Sequence, residues 1–398
     1  MSIPAHKEEV SCPITGTNEV EHLLNFPQFP VFQHPMSVNA ELDQVRVALD
    51  FYYSPVSGHC FQAEYSEELL EKLYSSHYYT PAEGSIGETF RKYFISVLPQ
   101  YLDKHPKKGE GLNVLEVGSS DGEMLSDLDA FLSDATFLGF EPNSLTSKKS
   151  EEKGFEVRDA FFTAETVRGI DTKYDMIFSR HVVEHIPDQT DFFNAAAKVA
   201  APGAYLIHET PCLDWFIKEG KLDPFHVEHI HVFSKASIQA LAKKNGWLMV
   251  GLELSEAGNM IGFFQKESEA PNALPDILPP NAFNLDKIRG QKQRWLDALS
   301  SASEGKELYL WGAGSFGLTV GSLLDGQFEA YLDSNKNKEG LQYAGLNKSI
   351  KHGPSLLESR KQDQDKIVIA ISSTFSVEIE TAIRATGWQG EVIALANI

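Results

Sequence analysis

Residues 113–122 read NVLEVGSSDG, and this stretch decides the fold of the central part of the chain. The apolar run Asn113–Val117 has the pattern of a buried strand, and a turn of small residues runs from Gly118 to Gly122. An amphipathic stretch with helical spacing follows at residues 123–132. Strand, small-residue turn and helix form the first unit of a doubly wound α/β sheet, whose ligand binds at the carboxyl ends of the strands. Gly118 and Gly122 allow the backbone to turn and to approach that ligand closely.

The residues around this turn indicate which ligand to expect. The next apolar run, Thr136–Phe140, ends at Glu141, whose carboxylate could accept hydrogen bonds from both hydroxyls of a ribose. The turn reads E-x-G-S-S-D-G rather than G-x-G-x-x-G, and it has no lysine to hold a phosphate chain. This disfavours a dinucleotide or a triphosphate and favours an adenosine without phosphates, namely S-adenosylmethionine. Asp159 with Ala160, after the third predicted strand, could bond the adenine amine. The expected cofactor-binding residues are Glu116, Gly118, Ser119, Ser120, Asp121, Gly122, Glu141, Pro142, Asp159, Ala160, Ser179 and Arg180.

The length, net charge and cysteine content of the chain narrow the class of protein. The 398 residues are enough for two or three domains, and the net charge of −21 repels nucleic acids and anionic membranes. No apolar run is long enough to span a bilayer, and the opening MSIPAHKEEV lacks the apolar core of a signal peptide. Cys12, Cys60 and Cys212 lie far apart and form no C-x-x-C pair. We therefore expect a cytoplasmic enzyme, monomer or homodimer, that acts on a small molecule and has neither a nucleic acid nor a membrane as its partner.

The pattern along the chain predicts three domains and one linker. Residues 1–66 contain many turn formers between short apolar runs, which indicates a small, irregular, β-rich module. Strand and helix patterns alternate over residues 67–266, as is typical of a parallel sheet with helices on both faces. Residues 267–284 contain four prolines and are predicted to form an extended linker. Residues 285–398 are predicted to form a smaller, Rossmann-like α/β domain.

Individual elements follow from the same patterns. The predicted strands of the central domain are residues 113–117, 136–140, 156–158, 174–178, 204–209, 248–254 and 260–265, and helices are predicted at 66–74, 88–102 and 285–303. In the C-terminal domain, Glu307–Trp311 is a predicted strand and GAGSFG (residues 312–317) a second glycine turn. A strand at residues 328–332 ends at Asp333, where NAD-binding folds place their acidic residue. A last strand is predicted at residues 366–372.

Histidines are concentrated in one part of the chain. Six of the thirteen lie within residues 181–231, and FHVEHIHVFS places His226, Glu228 and His229 after the fifth predicted strand. A metal site of His226, His229 and His231 is disfavoured, because there is no helical H-x-x-x-H and no cysteine support, and no metal is expected. A general base is favoured instead, since imidazole titrates near neutrality and Glu228 could orient a ring. His231 is expected to pack or to cap a loop.

Several stretches together resemble a known family. They are LEVGSSDGEML (residues 115–125), VVEHIPDQTDFF (182–193), HETP (208–211), HVEHIHVFS (226–234), and LYLWGAGSFG (308–317) with YLDSNKNKEG (331–340). Over nearly its whole length the chain resembles the S-adenosylmethionine-dependent C-methyltransferases of nucleotide-linked deoxysugars. Members have an N-terminal zinc-binding module, a central class I methyltransferase domain and a C-terminal Rossmann-like domain. The C-terminal pair of stretches is the most specific, since few other methyltransferases carry such a domain.

The resemblance implies a catalytic site. In this family a Tyr-x-Glu-His stretch supplies the base that removes the proton beside a ketone, and the resulting enolate attacks the methyl group. Glu228 and His229 match the Glu and His of that stretch, and His226 occupies the tyrosine position. The central histidine of the family falls at His185, for which the sequence itself leaves a chemical and a packing role equally open. The resemblance also implies a tyrosine from the loop before the methyltransferase domain, either Tyr78 or Tyr79. The implied catalytic residues are therefore His229, Glu228, His226, His185, Tyr79 and Tyr78.

The chain departs from the family pattern in two places. The zinc module of the family uses two C-x-x-C pairs, but here the corresponding residues read CPIT (12–15) and SPVS (54–57). Because three of the four thiolates are missing, we expect no zinc and a module held together by packing alone. The exchange of the catalytic-stretch tyrosine for His226 leaves open the sugar, the position methylated, and the choice between C- and O-methylation.

Three functions are therefore compared. The first is C-methylation of a nucleotide-linked keto-deoxysugar in natural-product biosynthesis, with His229 as the base. The second is O- or N-methylation of another small metabolite with the same cofactor site. The third is an NAD-binding or non-catalytic protein that works through its GAGSFG domain, although the resemblance gives that domain a substrate-holding role without NAD. Binding of S-adenosylmethionine would favour the first two, and binding of NAD the third.

Overall fold

The structure, a computed structural model, describes residues 10–32, 35–37, 46–77, 85–270, 283–324, 326–343, 345–346, 348–373 and 376–398. In chain order its strands are β1 (Glu21–Pro30), β2 (Arg46–Ser54), β3 (His59–Gln62), β4 (Asn113–Val117), β5 (Thr136–Phe140), β6 (Glu156–Arg158), β7 (Tyr174–Arg180), β8 (Ala200–Pro211), β9 (His231–Val232), β10 (Trp247–Leu254), β11 (Asn259–Lys266), β12 (Glu307–Trp311), β13 (Ala330–Asp333), β14 (Ile350–His352), β15 (Ile367–Ile371) and β16 (Glu391–Ala394). The helices are α1 (Glu67–Lys72), α2 (Ser85–Val97), α3 (Pro99–Leu102), α4 (Glu123–Phe131), α5 (Ser144–Glu152), α6 (Gln189–Val199), α7 (Leu213–Glu219), α8 (Lys235–Lys244), α9 (Asp286–Arg289), α10 (Gln291–Ala302), α11 (Ser315–Leu323), α12 (Gly353–Ser359) and α13 (Ser376–Ala385). In the part of the chain described here, no helix is both long and apolar enough to cross a bilayer.

The largest sheet has seven strands in the order β10-β11-β8-β7-β4-β5-β6. β11 runs antiparallel to both of its neighbours, and the strands from β8 to β6 pair in parallel. The chain first builds the sheet outward from β4 to β6 and then returns to place β7 and β8 on the other side of β4. The order therefore reverses between β4 and β7, and the crevice at the carboxyl ends of these two strands is the position where such sheets bind ligands.

The predicted strands of the central sheet all form, and most differences concern their ends. β4, β5 and β6 have the predicted bounds, whereas β8 is longer than predicted because it pairs along both of its edges, with β7 and β11. The predicted helix at residues 88–102 is divided into α2 and α3. In the C-terminal domain, β13 begins two residues later than predicted, and the short strands β14 and β16 were not predicted.

The N-terminal strands form an antiparallel sheet in the order β1-β2-β3-β9. Its fourth strand, β9, does not come from the N-terminal module but from the histidine-rich stretch of the central domain, where His231 pairs with Phe61. At the position of the missing zinc ligands, Sγ of Cys12 lies 3.3 Å from Oγ of Ser57. A thiol–hydroxyl hydrogen bond therefore joins the two loops, in addition to packing.

The C-terminal domain is a five-stranded parallel sheet in the order β14-β13-β12-β15-β16. One hydrophobic cluster includes Phe26 and Phe51 of the N-terminal sheet together with Trp295 and Phe316 of the C-terminal domain. All four side chains are nearly or completely buried. Burial of large aromatic side chains is a strong stabilising contribution, so the N-terminal sheet is held on the C-terminal domain as well as on the central sheet.

Candidate active site

The turn after β4 has a backbone shape that favours glycine at two positions. Gly118 and Gly122 have φ angles of +75° and +78°, in the left-handed region that glycine adopts without strain. A Cβ atom at Gly118 would lie 2.5 Å from Cγ2 of Val182, and one at Gly122 would lie 2.5 Å from Oγ of Ser150. The turn therefore packs closely on the loop after β7 and presents bare backbone at the crevice between β4 and β7.

Glu141, directly after β5, is bound to the same turn. Its carboxylate accepts a hydrogen bond from the backbone N of Ser120 (2.9 Å) and another from the backbone N of Asn143 (2.8 Å). Burial raises the pKa of Glu141, although these two hydrogen bonds act in the opposite direction. An ionised carboxylate has about four acceptor positions, so Glu141 keeps capacity for hydroxyl donors of a bound ligand.

A cavity of about 700 Å³ lies at this edge of the sheet. Its walls come from α1 and from the segments that follow β4, β5, β6 and β7. Aromatic side chains form much of the wall, and the sequence did not single them out: Tyr65, Phe140, Phe161, Phe162 and Phe192. The predicted cofactor-binding residues that line it are Gly118, Ser120, Glu141, Pro142, Ala160 and Arg180.

The other predicted cofactor-binding residues lie behind or beside the described wall. Ser179 is fully buried, and its Oγ lies 2.9 Å from Nδ1 of His208. Glu116 is also buried, and this burial raises its pKa to about 8. These side chains shape the strands under the cavity rather than its surface. The predicted cofactor-binding residues that do not line the described cavity are Glu116, Ser119, Asp121, Gly122, Asp159 and Ser179.

Two of the predicted catalytic residues, His185 and Glu228, line the same cavity. Nδ1 of His185 lies 2.8 Å from the backbone O of Glu228. Since a carbonyl oxygen can only accept, Nδ1 carries a proton, and in the neutral tautomer Nε2 has the lone pair. The carboxylate of Glu228 accepts a hydrogen bond from the hydroxyl of Tyr74 at 3.0 Å, whereas the sequence suggested that it orients an imidazole. The predicted tyrosines, Tyr78 and Tyr79, lie outside the described residues.

His229 and His226 lie behind this wall. The two rings are 3.7 Å apart between centroids, and the ring of His229 is 4.9 Å from that of His185. Nδ1 of His229 donates to the backbone O of Pro224 at 2.9 Å. Burial, followed by the charges of His226 and His185, holds the pKa of His229 well below the ordinary value, so this ring is neutral near pH 7. Neither His229 nor His226 lines the described wall of the cavity, and His185 is the imidazole of the predicted set that does.

The sequence did not assign a role to His181 or Glu184, and both belong to this cluster. His181 lines the cavity and has a φ of +53°, a strained value for a residue other than glycine. Its Nδ1 lies 3.4 Å from Oε1 of Glu184, and its Nε2 lies 3.5 Å from Nδ2 of Asn259. Burial opposes protonation of His181, but the carboxylates of Glu184 and Glu209 outweigh burial and raise its pKa. The SRHVVEH sequence contained these residues, but only the strained turn after β7 brings them together.

Gln62, at the end of β3, holds the histidine-rich stretch in place. Its Nε2 contacts the backbone carbonyl oxygens of His226 (2.9 Å), Val227 (3.1 Å) and His229 (2.9 Å). Gln62 is buried, so these carbonyls have a donor without access to bulk water. No local spacing in the sequence indicates this contact. The N-terminal sheet therefore positions the loop that contains Glu228.

Two further histidines are buried away from the cavity. Nδ1 of His231 lies 3.1 Å from Nε2 of His59, and burial lowers the pKa of His231 to about 4. Burial lowers the pKa of His208 to about 3, and its Nδ1 contacts the hydroxyl of Ser179. Both rings are therefore neutral near pH 7 and have structural contacts.

The glycine turn of the C-terminal domain differs from that of the central sheet in one respect. Asp333 accepts hydrogen bonds from the backbone N of Ala313 (2.9 Å) and of Asn335 (2.8 Å), as Glu141 does in its own turn. Nζ of Lys338 lies 3.0 Å from Asp333 and 2.9 Å from the carbonyl of Ala313. An ammonium group therefore covers the carboxylate that would face the ribose of a dinucleotide.

Comparison with family models gives a match over part of the chain. Residues 88–252 match the family described as a methyltransferase domain. No curated protein matches the sequence. Magnesium protoporphyrin IX methyltransferase ChlM of Synechocystis PCC 6803 is 14% identical, covers 46% of this chain and 86% of its own, and has a TM-score of 0.35. The N-methyltransferase NodS of Bradyrhizobium japonicum is also 14% identical, covers 45% of this chain and 97% of its own, and has a TM-score of 0.33. The mitomycin 7-O-methyltransferase MmcR is 13% identical over 45% of this chain and 57% of its own, with a TM-score of 0.33.

The domain match covers α2 and every strand of the central sheet up to β10. It includes the glycine turn, Glu141, His185 and Glu228, and the α/β fold class predicted from the sequence is confirmed. The segment from residue 88 to residue 252 therefore matches a methyltransferase domain, and its strands belong to the doubly wound α/β sheet.

Proposed function

We propose that the chain is an S-adenosylmethionine-dependent methyltransferase that C-methylates a nucleotide-linked keto-deoxysugar through an enolate. One observation carries the methyl-transfer part of this proposal. A single cavity of about 700 Å³ is lined at one side by Gly118 and Glu141 and at another by His185 and Glu228. Groups that suit a ribose and groups that suit proton transfer therefore share one cavity, as transfer of a methyl group requires.

The residues around the glycine turn fit the proposed cofactor. Glu141 keeps acceptor capacity for ribose hydroxyls, and Gly118 leaves no side chain between the turn and the cavity. Ala160 and Phe161 offer a small and an aromatic surface for an adenine ring. None of the described residues that line the cavity is a lysine, which suits a ligand without phosphates. The bound cofactor would supply an electrophilic methyl group on a sulfonium centre.

The proton beside the ketone would be removed by an imidazole of the cavity wall. His185 presents Nε2 with its lone pair, because Nδ1 is engaged by the carbonyl of Glu228. His181 also lines the cavity, and its Nδ1 faces the carboxylate of Glu184. The hydroxyl of Tyr74 and the carboxylate of Glu228 offer polar contacts for the sugar. We assign the base to one of these two cavity histidines rather than to His229, which lies behind them.

The nature of the acceptor rests on the family resemblance rather than on a contact. O- or N-methylation of another small metabolite is the second candidate, because the same imidazoles could deprotonate a hydroxyl. His226, in the position of the family tyrosine, favours keeping this candidate. A function through NAD is disfavoured, since Lys338 covers Asp333 in the C-terminal glycine turn.

The test begins with the small molecules that purify with the protein. We expect mass spectrometry of the denatured protein to detect S-adenosylmethionine or S-adenosylhomocysteine; NAD without either species would refute the cofactor. The acceptor class is then tested with nucleotide-linked 4-keto-deoxysugars in D₂O, with S-adenosylhomocysteine in place of the methyl donor. C-methylation requires exchange of the proton beside the ketone under these conditions. Turnover with the donor but no exchange without it would favour O- or N-methylation.

A further inference from the structure

We propose that Glu184, His185 and His229 form a binding site for a divalent transition-metal cation in the wall of the cavity. Among the residues that the structure describes, these three offer ligand atoms that all lie within 4.8 Å of one another. A carboxylate and two imidazoles are donors typical of Zn²⁺, and also of Co²⁺ and Mn²⁺. The sequence argued against a metal from the spacing of a single stretch, whereas this group combines the loop after β7 with the loop before β9.

Glu184 provides an independent observation that a ligand belongs here. Its side chain is 1% exposed, and among the described residues neither carboxylate oxygen has a hydrogen-bond partner within normal hydrogen-bond geometry. The nearest nitrogen atoms to Oε1 are Nδ1 of His181 at 3.4 Å and Nε2 of His229 at 3.9 Å. The ring of His181 compensates part of this charge, but a buried carboxylate without well-formed hydrogen bonds is still costly, and a cation bound to its oxygen would remove much of the remaining cost.

The two histidines are already held in the form that a metal requires. Nδ1 of His185 donates to the carbonyl of Glu228, and Nδ1 of His229 donates to the carbonyl of Pro224. Nε2 of each ring therefore carries the free lone pair. Metal-ligating histidines usually donate their second N–H group to a carbonyl or a carboxylate in this way, which fixes the ring and its tautomer.

The separation between Glu184 and His229 suits one cation shared by these two side chains. Bonds of about 2.0–2.2 Å place two ligands on one zinc ion about 3.4 Å apart at the tetrahedral angle and at most about 4.2 Å apart. The separation of 3.9 Å between Glu184 and His229 lies within this range, and His181 lies at 3.4 Å from the same oxygen. His185 and His181 both line the cavity, so a further coordination position faces the space for the acceptor. That position suits the oxygen atom of a ketone or a hydroxyl group of the acceptor. If His185 coordinates the metal, the base that removes the proton would be His181.

The experiment uses Co²⁺ alone with the full-length chain after treatment with EDTA. We expect one equivalent of Co²⁺ to bind, with visible d–d absorption from a site of nitrogen and oxygen ligands, and Zn²⁺ to displace it. Glu184→Gln keeps the size of the side chain but removes its charge, and we expect it to weaken Co²⁺ binding more than about 100-fold. His229→Gln, which replaces a ligand from the other loop, should weaken binding in the same direction. His208→Gln is the matched control, because it changes a buried histidine outside the group and should leave the affinity unchanged.

The outcomes separate this site from the proposed function. Absence of a d–d band and of displacement by Zn²⁺, or an unchanged affinity in both ligand variants, would overturn the site. Binding of S-adenosylhomocysteine to each variant shows whether the domain is folded, so a lost Co²⁺ signal with retained cofactor binding supports the site. Methyl transfer that is insensitive to EDTA in a protein that binds no Co²⁺ would refute the metal and leave the methyltransferase assignment intact.

Discussion

The buried imidazole of His208 should make the central sheet sensitive to acid. Burial lowers its pKa to about 3, and the ring is completely buried between Phe192, Phe193 and Phe264. In the unfolded chain the pKa returns to about 6.5. Because the folded value is the lower one, the stabilisation is fully present above about pH 6.5 and is lost as the pH falls toward 3.

The size of this loss in stability follows from the difference between these two pKa values. Each pH unit below the unfolded value costs about 1.4 kcal/mol, so about 2 kcal/mol is lost between pH 6.5 and pH 5. Other groups also titrate in this interval, and the variant His208→Gln isolates the contribution. His208 contacts the hydroxyl of Ser179 at 2.9 Å, and loss of this contact would lower the stability of the variant equally at each pH.

The assay is hydrogen exchange of the slowest amides of β7 and β8, measured at pH 7 and pH 5 and corrected for the intrinsic rate at each pH. We expect the opening free energy of the wild-type sheet to fall by about 2 kcal/mol more than that of His208→Gln between these two values. A difference in opening free energy between the two proteins that is the same at pH 7 and pH 5 would reflect only packing around the new side chain. Equal losses in both proteins would refute the reasoning.

Three further substitutions or reactions test the geometry of the fold. Gly118→Ala should raise the Kd for S-adenosylhomocysteine at least tenfold in calorimetry. Its left-handed φ costs about 1–2 kcal/mol in any residue with a Cβ, and that Cβ has no space. Gly154→Ala is the control, because Gly154 also has a left-handed φ but open space around its Cβ, and it should not change the Kd. Gly251→Ala should lower the thermal unfolding midpoint by several degrees, because its Cβ would collide with the ring of Tyr101 and overpacking costs about 1–3 kcal/mol. An unchanged midpoint would contradict the described packing. Cys60 is fully buried and this burial raises its pKa, so a maleimide should label it only after denaturation.

The sequence predicted those parts of the fold that depend on neighbours along the chain. β4, the glycine turn and Glu141 lie within a single strand–turn–helix–strand unit, and their spacing carries the information. Short strands escaped prediction for a physical reason. β9 has two residues, and it becomes a strand because it completes the edge of the N-terminal sheet beside β3. Its conformation is set by a tertiary contact rather than by local propensity.

The candidate site likewise has a part that the sequence predicted and a part that it did not. His185 and Glu228 could be found from their stretches, but the sequence contains no signal that Glu228 bonds Tyr74 or that His229 lies behind His185. No local pattern marks Glu184, because only the turn after β7 places its carboxylate among imidazoles. Contacts between distant segments depend on how three sheets pack, and residue types at fixed spacing do not encode that arrangement locally.

The pairing of β3 with β9 has a consequence for how the chain is made. Gln62 and the carbonyl of His229 that it contacts are 167 residues apart. At a synthesis rate of about 5–20 residues per second, roughly 10 to 30 s pass before the ribosome supplies the partner of β3. During that time the strand has an open edge that could pair with another nascent chain. The same pairing constrains evolution by domain exchange, because a foreign N-terminal sheet would have to bring the matching histidine-rich loop with it.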